Sequence, residues 1–403
     1  MTSKTYLVGG AVRDLQLGET TPKDRDYVVV GSSESDMLQQ GFTRVGQSFP
    51  VFLHPETGDE YALARTERKV GHGYSGFQVD VNKVSIEDDL RRRDLTINSM
   101  AIDPDTGELI DPFNGLEDLR AGVLRHTSEA FAEDPVRVLR LARFAARYNF
   151  IVNDSTVQLA KQIVGELANV PAERIWKELE RGLIEPWPQN MVVVLRQVGA
   201  MEVGAVRSYF IPATVNELSH QSEDQYLDNM IDKLARVRGE TAYSVALGGA
   251  LSQLSQNGKV DCYLPSRVQS ILSWKLHVQK VYDLITSNPI DLMPDDKIDL
   301  VIRSAEQLNN LLSNENSESG IALKAAITGS SVSNQPQQVV DDFLVTLQAL
   351  RIALEPRSLQ LKSVLSLLGP DCRQSIPQVV AAVKRVMVRG VFASSLAKAM
   401  MTS

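Results

Sequence analysis

Between residues 1 and 125 the apolar positions gather in short β-rich runs, at 5–8, 27–30, 61–64 and 77–81, set apart by Gly, Pro and polar residues. Runs of that length, rich in β-branched and aromatic side chains, predict strands of a small mixed sheet with helices between them. Beyond about residue 128 the rhythm changes, and Leu, Ala and Val recur at spacings of three and four. That period is helical. The expected architecture is an α+β head followed by an all-α remainder. A break near Pro186 and Pro188, and a stretch from 306 to 338 rich in Asn, Ser and Gln, mark candidate junctions in the helical part. The divisions expected are a mixed head over 1–125, a helical neck over 126–200, a helical body over 201–305 and a helical tail over 306–403, without internal repeats.

Composition narrows the class. Of the 403 residues, 43% are hydrophobic and 23% charged, which excludes wholesale disorder and fibrous repeats. Two cysteines, Cys262 and Cys372, are too few for a disulfide framework or a four-thiolate zinc site, and they suit a reducing compartment. The first residues lack a basic flank before an apolar stretch, and Arg13-Asp14 interrupts them. No run nears the roughly 20 apolar residues of a membrane span, so a cytoplasmic protein with no membrane partner is expected. The net charge of −8 argues against a protein that coats nucleic acid non-specifically. Residues 351–403 nevertheless hold eight Lys and Arg against two Asp and Glu. That basic end reads either as a solvated helix or as a remote grip on a polyanion.

Candidate chemistry begins at Gly9-Gly10, where a predicted strand meets a predicted helix. Glycines there let the backbone approach a triphosphate closely, and Arg13 offers a charged donor. Asp24 and Asp26 follow, two residues apart at the next strand, so strand periodicity places them on one face. Two hard carboxylates at that spacing suit Mg²⁺, which keeps waters and substrate phosphate oxygens as its other ligands. Such ions activate an attacking hydroxyl and stabilise a leaving pyrophosphate.

Two further stretches each carry two readings. Arg91-Arg92-Arg93-Asp94, with Asn98 close behind, is either a solvated charge run opening a helix or a site in which Arg93 meets phosphate and Asp94 a ribose hydroxyl. Asp134-Pro135 is a helix-start signature, and Arg137, Arg140, Arg143 and Arg147 follow at spacings of three, three and four on one helix face. No acid at i+4 neutralises them, so water, another element or phosphate must. Asp134 either caps the helix or works with Arg137 on a base edge. One acceptor and one donor together suit the amino group and ring nitrogen of cytosine or adenine, which guanine and uracil reverse.

Taken in order, Gly9-Gly10 followed by Asp24-x-Asp26 resembles the signature of DNA polymerase beta-like nucleotidyltransferases. With Leu-Val-Gly-Gly-Ala-Val-Arg-Asp at 7–14 and the later motifs, residues 4–182 resemble the class II tRNA nucleotidyltransferases, the CCA-adding enzymes and their bacterial poly(A) polymerase relatives. The resemblance fades in the C-terminal portion. It implies Asp24 and Asp26 as catalytic, metal-holding residues, and Gly10, Arg13, Arg93, Asp94, Asp134, Arg137, Arg140 and Arg143 as nucleotide-binding. Glu133, Asp134 and Arg137 match the family's base-reading motif. Residues 111–119 match a head-to-neck joint, and 171–179 a helix that buttresses the reading helix through ion pairs. The glycine-punctuated stretch 66–76 is either an ordinary surface loop or the family's flexible loop. The implied activity is addition of C, C and A to the 3′ end of tRNA from CTP and ATP. A poly(A) polymerase and a catalytically silent RNA-binding maturation factor are the alternatives. None of His54, His72, His126, His220 and His277 is followed by Asp, so a His-Asp phosphohydrolase site is not expected.

Overall fold

A computed structural model describes residues 3–22, 25–45, 51–64, 66–69, 77–80, 84–213, 222–239, 241–257, 259–269 and 272. The expected tail over 306–403, and the expected body from 273 to 305 with shorter stretches before it, therefore lie outside the described residues. The chain forms two compact units, one of residues 1–207 with 227–235 and the other of 208–226 with 236–403. The first unit carries everything that follows.

Its centre is a seven-stranded mixed sheet. The strands are β1 (Lys4–Val8), β2 (Asp26–Val30), β3 (Thr43–Val45), β4 (Val51–Leu53), β5 (Glu60–Leu63), β8 (Ala101–Ile102) and β9 (Leu109–Ile110). They run in the order β3-β4-β5-β2-β1-β8-β9, and β2 with β5 is its parallel pair. The three sheet strands expected from the apolar runs, near 5–8, 27–30 and 61–64, are β1, β2 and β5. Alternation puts Val8 and Val28 on one face, packed with Tyr6, Ile86, Leu90 and Ala101. Val29 lies on the other face, with Met37 of helix α2 (Glu34–Gln39), Phe52 and Leu63. The first of these clusters brings helix α3 (Ile86–Arg91) onto the sheet. Its start is fixed by a reciprocal box between Ser85 and Asp88.

One stretch departs from expectation. Thr66–Lys69, inside the stretch read as a loop, is strand β6, paired antiparallel with β7 (Phe77–Asp80). The glycines of that stretch lie at 71, 73 and 76. Residues 70–76 lie outside the described residues.

The joint at 111–119 behaves as a turn that starts a helix. The Asp111 carboxylate accepts from the N–H groups of Gly115 and Leu116, which open α4 (Gly115–Ala121). Gly115 is required there, because a Cβ would lie 2.9 Å from the Thr96 carbonyl carbon. Helices then follow: α5 (Val136–Tyr148), α6 (Asp154–Ile163), α7 (Ala172–Leu183) and α8 (Pro188–Gln197). Among them is one two-residue strand, Ile151–Val152, parallel to Val123–Leu124. Helix α5 buries Val138, Leu139, Leu141, Ala142, Ala145 and Ala146 almost completely, and α7 and α8 pack on it. Among the described residues no helix is long and apolar enough to cross a membrane.

Candidate active site

The site starts where β1 ends. Gly9 takes φ +69°, a left-handed conformation that side chains disfavour, and opens helix α1 (Gly10–Gln16). A Cβ on Gly9 would also lie 2.9 Å from Arg93 Nη1, so the turn and this guanidinium are in close approach. Gly10 is not constrained in that way, for a Cβ there would stand at an ordinary 3.4 Å from Arg13 Nη2.

Asp26 opens β2 with its side chain exposed, opposite Val8 on β1 and opposite Glu60 on β5. Asp24 lies outside the described residues. The resemblance implies a divalent metal ion at this strand mouth. Among the described residues no three His, Cys, Asp or Glu side chains form a cation cage. The donor chemistry at the strand mouth does fit a hard cation: Asp26 is a solvent-facing carboxylate, and Glu60, which sequence reasoning did not single out, aligns with it.

Val28, two residues along β2 from Asp26, forms part of the floor of a cleft of about 530 Å³. Asp89, Arg92, Arg93 and Asp94 line it from α3 and the turn after it, Asp134, Arg137 and Arg140 from the start of α5, and Arg174, Lys177, Glu178 and Arg181 from α7. Seven of these are basic and four acidic. A net positive cleft in a chain of charge −8 is suited to a polyphosphate.

Asp94 is the most constrained of the group. Its Oδ1 accepts from the Leu95 N–H at 2.8 Å and from Asn98 Nδ2 at 3.1 Å, and Oδ2 accepts from Arg140 Nε at 2.7 Å. Burial alone would raise this carboxyl, but the Arg140 guanidinium, with Asn98 and Arg137, more than reverses that and holds it far below the usual carboxylate range. Asp94 in turn raises Arg140. Arg93 pairs with Asp89 at 3.2 Å, one helical turn earlier.

Asp134 stands both at the start of the helix and in the cleft. Its Oδ1 accepts from the Val136 N–H at 3.0 Å, capping α5 just ahead of Pro135, while the side chain lines the cleft. Its Oδ2 accepts from Arg174 Nη2 of α7 at 3.1 Å. Arg137 donates from Nη1 to the Ala130 carbonyl at 2.7 Å. Burial lowers its guanidinium, and Asp94, Asp134 and Glu133 oppose the shift.

The arginine stripe of α5 is therefore answered from other elements. Arg140 takes Asp94, Arg143 takes Glu178 at 2.7 Å, and Arg147 lies 3.8 Å from Asp14. Arg143 and Arg13 do not line the cleft. Arg143 is buried against Glu178 and the Phe144 ring, and Arg13 is buried between Asn98, Asp14, Phe144 and Tyr148. Arg174 and Glu178 supply the ion pairs expected of the buttressing helix. Lys177 and Arg181, one turn apart on α7, reach the cleft although sequence reasoning gave that helix a structural role only. Their spacing of four was the available signal.

Residues 5–125 match the poly A polymerase head domain, and residues 149–204 match the probable RNA and SrmB-binding site of polymerase A. Both matches lie within the first 204 residues of the chain. Among its relatives, the Multifunctional CCA protein of Neisseria gonorrhoeae (strain NCCP11945) is 59% identical over 203 residues, 50% of this chain and 49% of the relative. That of Pseudoalteromonas atlantica is 57% identical over 206 residues, 50% of each. The chain thus spans about half the length of the curated relatives it matches. In fold it is similar to the Thermotoga maritima CCA-adding enzyme complexed with tRNA, with a TM-score of 0.59 at 22% identity, covering 98% of this chain and 91% of that one. A CCA-adding enzyme in complex with ATP gives 0.57 at 22% identity, covering 95% and 86%.

Proposed function

We propose that this protein adds C, C and A to the 3′ end of tRNA, using CTP and ATP and releasing pyrophosphate at each step, in the cytoplasm. The observation that carries the reading is the convergence in one cleft of Arg93, seated over the glycine turn, with Asp94 and the Asp134 and Arg137 pair. Asp24 and Asp26 would hold Mg²⁺, which lowers the pKa of the terminal ribose hydroxyl and neutralises charge on the departing pyrophosphate. Arg93 and the backbone at Gly9 and Gly10 bind the triphosphate, and Asp94 selects the ribose. Asp134 accepts from the amino group of cytosine or adenine with its remaining lone pairs, while the unused N–H groups of Arg137 donate to the adjacent ring nitrogen. Arg140 holds Asp94, and the buried Arg13 and Arg143 support the nucleotide through their partners Asn98 and Glu178.

No template strand is required for this choice, because guanine and uracil present the opposite pattern to the same two side chains. The family description also admits a poly(A) polymerase, which shares the head. Incubation with tRNA lacking its CCA end and each NTP separates the readings: C, C and A in order supports CCA addition, and long A tails without C support the polymerase. Unchanged function in cells carrying Asp24→Ala would point instead to a silent RNA-binding factor.

A further inference from the structure

Residues 125–127 pair antiparallel with 94–96, the stretch that carries Asp94. Thr96 N–H donates to the Arg125 carbonyl at 2.9 Å and Thr127 N–H to the Asp94 carbonyl at 3.2 Å, on either side of the facing pair Leu95 and His126. The backbone N–H of His126 therefore points away from Leu95 and toward α6, where the Thr156 hydroxyl oxygen accepts it at 2.9 Å. His126 Nδ1 lies 2.8 Å from the same oxygen. Thr156 is fully buried, and both partners of its hydroxyl among the described residues are on His126. A hydroxyl carries one proton, and a buried one left without an acceptor is costly. The oxygen receives the backbone N–H, so the proton goes to Nδ1. That assigns the ring: Nδ1 bare, a hydrogen on Nε2, and no charge.

We infer that His126 and Thr156 form a latch, opened by proton binding, between α6 and the stretch that carries Asp94, with His126 a positioning residue that acts through that stretch. A proton on Nδ1 turns the acceptor into a donor, and the buried hydroxyl loses the place for its own hydrogen. The surroundings favour the closed form. Burial pushes the imidazole below its usual value, Arg125 adds to this and Glu129 opposes it. Arg125 is itself tied to Asp118 at 3.0 Å, and the Asp94 carboxylate across the pairing is spent on Arg140. The Phe131 ring stands 6.3 Å from the imidazole, and the charged residues of α6, Asp154 and Lys161, are exposed. With the folded value lowered, the latch stabilises fully above the unfolded value of about 6.5, and this is lost as pH falls through the folded one. For its effect on transfer the inference rests on the nucleotidyltransferase reading; the latch itself does not.

The test uses the full chain with His126→Asn, Thr156→Ser and Thr156→Val. Asparagine sets a carbonyl oxygen near the place of Nδ1 and does not titrate, serine keeps the hydroxyl, and valine keeps the shape without it. Nitrogen-15 NMR, with the His126 signal assigned by its loss in His126→Asn, is expected to show the hydrogen on Nε2 and a midpoint below about 6.5. Thr156→Val is expected to raise that midpoint and Thr156→Ser to leave it. As pH falls from about 7.5 to about 5, across the histidine range, kcat/KM for CTP on tRNA lacking CCA is expected to drop about threefold more in the unaltered chain than in His126→Asn, the worth of one neutral hydrogen bond. Should Thr156→Val fail to fold, the ring state of the unaltered chain and the His126→Asn profile decide. A hydrogen on Nδ1 at neutral pH, or a midpoint in Thr156→Val no higher than in the unaltered chain, overturns the latch whatever the transfer assays give. Equal pH profiles of transfer in the unaltered chain and His126→Asn overturn its positioning role. Absence of transfer by the unaltered chain at every pH overturns the wider reading and that role together, and the NMR still decides the latch.

Discussion

The strand mouth and the arginine cleft belong to one compact unit and solve opposite problems. At the strand mouth Asp26 stands exposed, its position set by strand alternation and an antiparallel register with β1. In and behind the cleft, charges are cross-paired before any ligand arrives, half-buried in Asp134 with Arg174, and with at least one partner buried in Asp94 with Arg140 and Glu178 with Arg143. An exposed carboxylate at a strand mouth lies within reach of solvent, a cation and phosphate. A buried ion pair costs desolvation, and what it secures in return here is orientation. Mutations at the two places should therefore separate, with activity lost at the mouth and stability lost in the cleft.

The largest effect is expected from Asp26→Ala, a fall in kcat on the order of a thousandfold with an unchanged unfolding midpoint, seen by single-turnover transfer and denaturant titration. Glu178→Gln should do the reverse. Leaving Arg143 buried without its carboxylate costs about 3–5 kcal/mol of folding stability, and the double replacement Arg143→Met with Glu178→Leu should recover most of it. Next comes Gly9→Ala, with about 1–2 kcal/mol of backbone strain at its positive φ, together with a raised KM for nucleotide as Arg93 is pushed aside.

Acid titration refines the contrast further. The folded Asp94 carboxyl lies below its unfolded value of about 3.9, so its stabilisation is complete above that pH and drains away as pH falls toward the folded value. Asp94→Asn should therefore flatten the loss of stability below about pH 4, measured by urea unfolding across that range. The exposed pair Arg44 and Glu34, at 2.8 Å, marks the lower end: Arg44→Ala should cost well under about 1 kcal/mol.

Legibility in the sequence follows the same division. The strands β1, β2 and β5 were readable to within a residue because alternation is a local property of the chain. Asp26 was readable with them, and so was the cap at Asp134, which depends on the next few residues. The partners of the arginine stripe were not. Glu178 is 35 residues from Arg143, Asp94 is 46 from Arg140, and Asp14 shares a hydrogen bond with Tyr148 across 134 positions. No spacing rule reaches that far, so the stripe read as four arginines to be answered by water, another element or phosphate. The same limit hid Glu60, brought beside Asp26 by a parallel pairing. It also concealed that Arg13, beside the glycine turn in sequence, faces inward to Asn98.

The claim on which the account turns is that two protein side chains choose the base, and the most direct test is incorporation of each of the four NTPs by the unaltered chain and by Asp134→Ala. The account predicts that the unaltered chain takes C and A and rejects G and U, and that Asp134→Ala narrows this discrimination to within about tenfold, each lost contact to a base edge being worth roughly 1–3 kcal/mol. Full discrimination surviving in Asp134→Ala would contradict it.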